Sequence, residues 1–424
     1  MYERLRVLYS IALLIALTFG LGGCSQHDSH NVYSPSLDSV AGPSISITLY
    51  SATADRNVQE AYKQIADGFM NENPGIAINL SFPGSDYEGM MKVKMAANDM
   101  PDIWDTHGWA QKRYGNFLAD LRGEEWVSRI SASSRSDIID GNGKVYALVL
   151  NEAKDGLTYN AEILKRYDIQ PPRTFDELLA SAEKIKQMSN GAIMPFYFSG
   201  IDDWMVGQFF DYFATPLFVH GSNYLSSKNM DWSKWASLAD RFLQMKSKGY
   251  MNEDALTADY ADLVPLFAEG KVVYAMLSPQ FSDEVLAINP NAQIGLMPIP
   301  SLSIDDEPSF SGGERLTMGA WKDSPHLAEA KKVIAYFARP ESMSKFAEAT
   351  KLPPGLINVQ ASHEFTPYYD LYRDVKVFPY FDRVYLPNGM WEVMSESGAE
   401  LLAGQLTPEG FAVRMRQETE RLSE

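Results

Sequence analysis

Across residues 44–104 the hydrophobic pattern switches repeatedly between the period of a strand and the period of a helix, and this alternation constrains the fold more than any other feature. Ser44-Ile45-Ser46-Ile47-Thr48-Leu49-Tyr50 alternates polar and apolar residues, several of them β-branched, which predicts a half-buried strand. Val58, Ala61, Tyr62, Ile65 and Phe69 then recur at three- and four-residue spacing, which predicts an amphipathic helix stopped by Asn73-Pro74-Gly75. Residues 76–82 read as a second strand, Pro83-Gly84-Ser85-Asp86 as a turn, a second helix runs through Met90, Val93 and Met95, and Pro101-Asp102-Ile103-Trp104 begins a third strand. Strands separated by helices pair in parallel through right-handed crossovers, so the class is α/β. Farther on, Thr174 as N-cap with Glu177 three residues later opens a helix through Leu178, Leu179, Ala182, Ile185 and Met188. Further helices are predicted over 231–245 and 328–338. No internal repeat is visible, and long helices beside short strands predict two lobes with small sheets rather than one barrel.

The amino terminus sets a second constraint. Arg4 and Arg6 precede an uncharged apolar stretch over 7–23, shorter than the roughly 20 residues of a spanning helix, that closes on Leu21-Gly22-Gly23-Cys24. This is the layout of a secretory signal, and its end resembles a lipobox, in which the cysteine is acylated (palmitate is one such chain) and becomes the first residue after cleavage. The expectation is therefore a lipoprotein signal peptide over 1–23, a lipid anchor on Cys24, and a polar, flexible tether over 24–43. Cys24 is the only cysteine in 424 residues, which excludes an internal disulfide and any cysteine-cluster metal site. With 55 Asp and Glu against 37 Lys and Arg, the formal charge of −18 repels phosphate backbones, so nucleic acid is not an expected partner.

Catalytic signatures are missing. There is no His-Glu-x-x-His and no Gly-x-Ser-x-Gly, and Glu269-Gly270-Lys271-Val272 lacks both the upstream glycine and the Ser or Thr of a phosphate loop. Asp202-Asp203 could serve acid and base chemistry on a glycoside, but adjacent acids are more often a solvated pair. No cofactor or metal is expected.

Several segments together carry a resemblance. Phe69-Met70-Asn71-Glu72-Asn73-Pro74-Gly75-Ile76, Met100-Pro101-Asp102-Ile103, Gly156-Leu157-Thr158-Tyr159-Asn160 and Pro171-Pro172-Arg173-Thr174-Phe175-Asp176-Glu177-Leu178 are similar in order and spacing to the extracellular carbohydrate-binding lipoproteins of ABC importers, the group that includes maltose-binding protein. Phe267-Ala268-Glu269-Gly270-Lys271-Val272-Val273-Tyr274-Ala275-Met276 and Leu406-Thr407-Pro408-Glu409 resemble later segments of that family. The resemblance implies a two-lobed periplasmic-binding-protein fold of type II, each lobe a small mixed sheet flanked by helices, with three crossings at a hinge. By analogy the crossings would fall near 150–155, 275–281 and 337–342, so that 44–150 with 282–338 form one lobe and 151–281 with 339–424 the other.

A pyranose presents C–H faces to aromatic rings and a rim of hydroxyls to polar groups, so aromatics and carboxylates should converge in the cleft. The resemblance points to Trp391, sixteen residues before Thr407, as a stacking residue, and to Glu152 at the first crossing as a hydroxyl acceptor. Trp204, in a polar turn after the strand over 194–198, and Phe281 with Gln280, where many family members have Gly-x-Trp, are further candidates. The loop after Ile103 starts at the carboxyl end of a parallel strand, where open α/β sheets place ligands, which nominates Asp105 and His107 for hydroxyl bonds and Trp109 as a cap. Trp104 reads as core. Glu314 is a further candidate beside the paired Gly312-Gly313, with Asp55, Arg56 and Arg315 as weaker ones. The resulting expectation is a monomeric, lipid-anchored solute-binding protein that captures a sugar or oligosaccharide at the outer face of the cytoplasmic membrane and hands it to ABC permease subunits. The rival readings are a secreted glycan hydrolase and a binding lipoprotein for a peptide or polyamine.

Overall fold

The computed structural model describes residues 31–33, 45–218, 229–302 and 306–423. Cys24, the signal segment and most of the tether lie outside the described residues. The two largest hydrophobic clusters divide the chain. The first collects residues from Ile47 to Leu150 and again from Leu316 to Leu356, and the second residues from Leu157 to Ile299 and again from Phe381 to Met415. The chain therefore passes between two lobes three times.

Lobe 1 is built on a six-stranded mixed sheet of order β1-β3-β2-β4-β12-β5, comprising β1 (Asn31–Tyr33), β2 (Ile45–Tyr50), β3 (Ile76–Phe82), β4 (Ile103–Trp104), β5 (Leu148–Val149) and β12 (Thr317–Ala320). As the alternating pattern predicts, β2 lies parallel to both β3 and β4, with Ile47 opposite Ile78 and Leu49 opposite Ile103. β1 falls within the segment expected to be a free tether, yet it pairs antiparallel with β3. Strand addition at an edge uses backbone N–H and C=O groups, so a polar composition does not prevent it. Helix Arg56–Glu72 buries Val58, Tyr62, Ile65 and Phe69, the stripe read from the sequence.

Lobe 2 holds a four-stranded sheet of order β10-β7-β9-β8, from β7 (Leu157–Asn160), β8 (Met194–Phe196), β9 (Val272–Ala275) and β10 (Ile294–Met297). Helices Phe175–Met188, Trp204–Phe218, Ser233–Ser247, Met390–Ala403 and Pro408–Ser423 complete it, with the Phe210 and Phe411 rings stacked at 4.4 Å. Thr174 Oγ1 accepts from the Glu177 N–H at 3.1 Å and Glu177 in turn accepts from the Arg173 N–H, so the predicted helix start is built largely as expected.

The three crossings contribute a strand each to a third sheet of order β13-β11-β6, formed by β6 (Glu152–Asp155), β11 (Phe310–Glu314) and β13 (Val377–Pro379). The second and third crossings do not fall near 275–281 and 337–342. Residues 294–297 pair with β7 inside lobe 2, and Met343 and Phe346 of helix Pro340–Thr350 pack in the lobe 1 core, Phe346 edge-on to Tyr62 at 4.6 Å. Lobe 1 thus resumes at about residue 316 rather than 282 and runs on to about 356 rather than 338. The physical reason is local. A Cβ on Gly312 would sit 1.9 Å from the Ala153 carbonyl oxygen, and Gly313 has φ +118°, so the paired glycines are what let β11 run against β6.

Candidate functional site

Because the hinge strands lie between the lobes, the residues at their ends look into the gap. A cavity of about 370 Å³ lies between Ala54 and Asp55 of lobe 1, the segment around Ser278, Gln280 and Phe281 of lobe 2, and Asp155 and Arg315 from two of the crossings. Trp204, first residue of its helix, and Tyr260 line it with rings 5.5 Å apart and tilted by 53°. Tyr260 is placed by Asp202, whose Oδ2 accepts its N–H at 2.7 Å, and its hydroxyl donates to Glu284 Oε1 at 3.0 Å. The polar side of the cavity is a charge pair. Asp155, 3% exposed, accepts from Arg315 Nη1 at 3.1 Å and from the Tyr380 hydroxyl at 2.5 Å, and Arg315 Nη2 donates to Ser278 Oγ. Burial works against the Arg315 charge, but Asp155 together with Tyr380 and Tyr212 more than offsets it and holds the guanidinium above its usual value. Rings beside a paired acid and base suit a hydroxyl-rimmed, C–H-faced ligand.

A second cavity of about 220 Å³ has Tyr380 at its wall and Glu314, Asp137, Arg383 and Gly108 around it. Glu314 is 3% exposed, and one of its oxygens accepts from Thr106 Oγ1 at 3.3 Å. Burial, reinforced by the charge of Asp137 and only partly countered by Arg383, pushes its carboxyl up to about 8. Burial likewise raises Asp137 to about 6.

The structure gathers some of the predicted residues and separates others. Trp204, Phe281, Gln280 and the weaker candidates Asp55 and Arg315 line the larger cavity, although the Phe281 ring itself is buried edge-on to Phe267 at 5.1 Å. Glu314 lines the smaller one. Asp105 is buried, and its Oδ1 is used internally by the N–H groups of His107 and Thr317 and the Thr317 hydroxyl. His107, with φ +48°, hydrogen-bonds Glu88 through Nδ1 at 3.0 Å. Trp109 lies in the lobe 1 core beneath the Arg113 guanidinium, 4.5 Å from its ring centroid, and Trp104 is fully buried. Glu152 is buried and accepts from Ser133. Trp391, half-buried, packs on the lobe 2 core and lines neither cavity. Sequence reading missed Asp155, Gln208, Tyr212, Tyr260 and Arg383. Tyr212 and Gln208 lie on an almost wholly apolar helix whose periodicity does not distinguish the cleft-facing side, whereas Asp259, an N-cap accepting from the Ala261 N–H, was a usable signal for Tyr260. Among the described residues, no three His, Cys, Asp or Glu converge so as to hold a metal ion. No helix among them is long and apolar enough to cross a membrane.

Comparison with known proteins agrees with this architecture. The sequence profile of the bacterial extracellular solute-binding proteins matches residues 55–344. The melibiose/raffinose/stachyose-binding protein MelE of Bacillus subtilis (strain 168) is 43% identical over 383 residues, covering 89% of this chain and 90% of that protein. A structure of a binding protein from Bacillus subtilis subsp. subtilis strain 168 in an open conformation matches with a TM-score of 0.84 at 42% identity, over 91% of this chain and 99% of that one. A sugar transporter of Bacillus licheniformis in complex with stachyose matches with a TM-score of 0.80 at 45% identity, over 89% and 100%. One of these relatives is named as a sugar-binding protein and another as a sugar transporter, and this chain is likewise a binding protein rather than an enzyme. Two α/β lobes, three crossings and a ring-lined gap between them, together with these matches, place the chain among the bacterial extracellular solute-binding proteins, in the carbohydrate-binding group that serves ABC importers.

Proposed function

We propose that this protein captures galactosyl oligosaccharides of the melibiose, raffinose and stachyose series in the interlobe gap and delivers them to the permease of an ABC importer. It acts as a monomer, held at the outer face of the cytoplasmic membrane by acyl chains on Cys24 after removal of residues 1–23. The observation that carries the reading is the larger cavity, where Trp204 and Tyr260 offer ring faces and the Asp155–Arg315 pair offers hydroxyl partners, in a chain 43% identical to MelE. Trp204 and Tyr260 hold the sugar faces, and Asp155, Arg315, Gln280 and Asp55 its rim.

Thermal shift across a panel of galactosides, maltodextrins, a peptide and a polyamine tests the ligand class, because a ligand at a hundredfold its Kd adds about 2.7 kcal/mol to stability. A rise with raffinose or stachyose alone is expected, and a rise with only the peptide or polyamine refutes the sugar. Recovery of intact sugar after prolonged incubation separates a binder from a hydrolase. Trp204→Ala is expected to weaken raffinose by 10- to 100-fold, as loss of a stacking ring costs on the order of 1–3 kcal/mol in comparable sites.

A further inference from the structure

Asp202 lines neither cavity, yet it joins the two rings of the larger one. Trp204 opens helix Trp204–Phe218 and Tyr260 opens helix Tyr260–Ala268, so the distance between their rings depends on how two separate helix starts are held together. Asp202 holds them. Its Oδ2 accepts from the Tyr260 N–H at 2.7 Å, and its own N–H donates to Ser199 Oγ at 2.7 Å. That hydroxyl donates in turn to the Ala258 carbonyl at 2.6 Å, and the Tyr197 hydroxyl donates to the Asp259 carbonyl at 2.9 Å. The adjacent acid works on the other helix, where the Asp203 carbonyl accepts from the N–H groups of Val206 at 2.9 Å and Gly207 at 3.0 Å. Two neighbouring acids that read as a solvated pair thus each serve the start of a helix that carries a ring.

The Tyr260 N–H lies in the first turn of its helix, where N–H groups have no partner within the helix, and a carboxylate there is favoured by the helix dipole as well. The Tyr260 ring is fixed at its backbone end by Asp202 and at its hydroxyl end by Glu284, whose Oε1 accepts at 3.0 Å. The result is the 5.5 Å spacing and 53° tilt to Trp204. A ring already fixed loses no freedom when a sugar face arrives, which is how preorganisation raises affinity without a new contact. We infer that Asp202 is a positioning residue for sugar binding, one that touches no sugar and acts through Tyr260, whose ring it holds against Trp204. The inference rests on the carbohydrate reading above.

Calorimetry with raffinose on Asp202→Ala, Tyr260→Ala and the double variant tests it. Asp202→Ala is expected to weaken raffinose by about tenfold in the otherwise native chain and by less than about twofold once Tyr260 is alanine, because the two residues act as one unit. Asp202→Asn, whose amide oxygen accepts the same N–H, is expected to recover most of the loss. Equal losses in the two backgrounds, no loss in either, or an Asn variant as weak as the Ala variant overturns the inference. Near-ultraviolet circular dichroism without sugar gives a reading independent of affinity. Asp202→Ala is expected to lose the part of the aromatic signal that Tyr260→Ala loses, and an unchanged spectrum overturns the inference as well. Melting curves establish that each variant is folded, and Asp202→Glu, which carries the oxygen one methylene farther, takes the place of Asp202→Ala if that variant does not fold. A wild type that binds no melibiose, raffinose or stachyose refutes the carbohydrate reading itself, which is a separate result.

Discussion

Glu314 is a strand residue at the hinge whose carboxyl is almost wholly removed from water, and its surroundings decide its charge. It faces Thr106, Asp137 and Arg383, with Asp105 close enough for like-charge repulsion. Its folded value of about 8 lies above its ordinary value of 4.5, so between those two pH values the native chain keeps a proton that the unfolded chain has released. Stability from this group is therefore fully present below about pH 4.5 and is lost as pH rises to about 8, by an amount on the order of 5 kcal/mol. Asp137, raised to about 6, acts with the same sign but has finished titrating by about pH 7. Urea midpoints compared between pH 7 and 9 are expected to drop in the wild type and to drop markedly less in Glu314→Gln. Equal slopes in the two proteins would show that Glu314 is already ionised at pH 7.

At the scale of the element, the same residue can cap a helix and face the cavity. Asp55 Oδ1 accepts from the N–H groups of Asn57 at 2.7 Å and Val58 at 3.1 Å, capping helix Arg56–Glu72, and Asp55 also lines the larger cavity. Asp55→Ala is expected to cost about 1 kcal/mol of stability, whereas Asp55→Asn keeps the cap and stays within a few tenths. If the carboxylate also meets the sugar, the Asn variant keeps its urea midpoint but binds raffinose several-fold more weakly; unchanged binding would leave Asp55 a cap alone. Elements like this helix were legible because one face is buried and the period shows it. The hinge strands were not. Phe310–Glu314 is buried on both faces and carries two glycines, and Val377–Pro379 is three residues long and ends in proline, so neither presents an alternating pattern. The site divides in the same way. Trp204 and Gln280 follow strands and turns whose order is visible in the sequence, whereas Arg383 sits in the five-residue helix Phe381–Tyr385 and owes its place to Gly108 and Tyr380, far away in sequence or set by the third crossing.

For the whole molecule, the question is what holds two lobes joined by three strands at one separation. Lys351 ends helix Pro340–Thr350 of lobe 1 in the left-handed conformation, with φ +57°, and its side chain is only 8% exposed. Its ammonium reaches into lobe 2, where it pairs with Asp283, donates to Ser282 Oγ at 2.9 Å, and also pairs with Glu364 of the third crossing. Asn57 of lobe 1 donates to the other Asp283 oxygen at 3.2 Å, so one lobe 2 carboxylate is gripped by two residues of lobe 1. Asp283 is three residues from Gln280 at the cavity, so this grip bears directly on the gap. Ligand can shift such a hinge only by contacts it makes better in one arrangement than in the other, and a contact independent of ligand sets the starting balance. Lys351→Met removes the charged half of the grip and leaves only the Asn57 bond. The variant without sugar is expected to show a larger radius of gyration by small-angle X-ray scattering than the wild type, and saturating stachyose should bring the two together, with a Kd raised about tenfold because the sugar must now do the work of closure alone. Asp283→Asn, which breaks the same pair from the other lobe, should act in the same direction; an unchanged radius and Kd in both would mean that the hinge strands alone set the separation of the lobes.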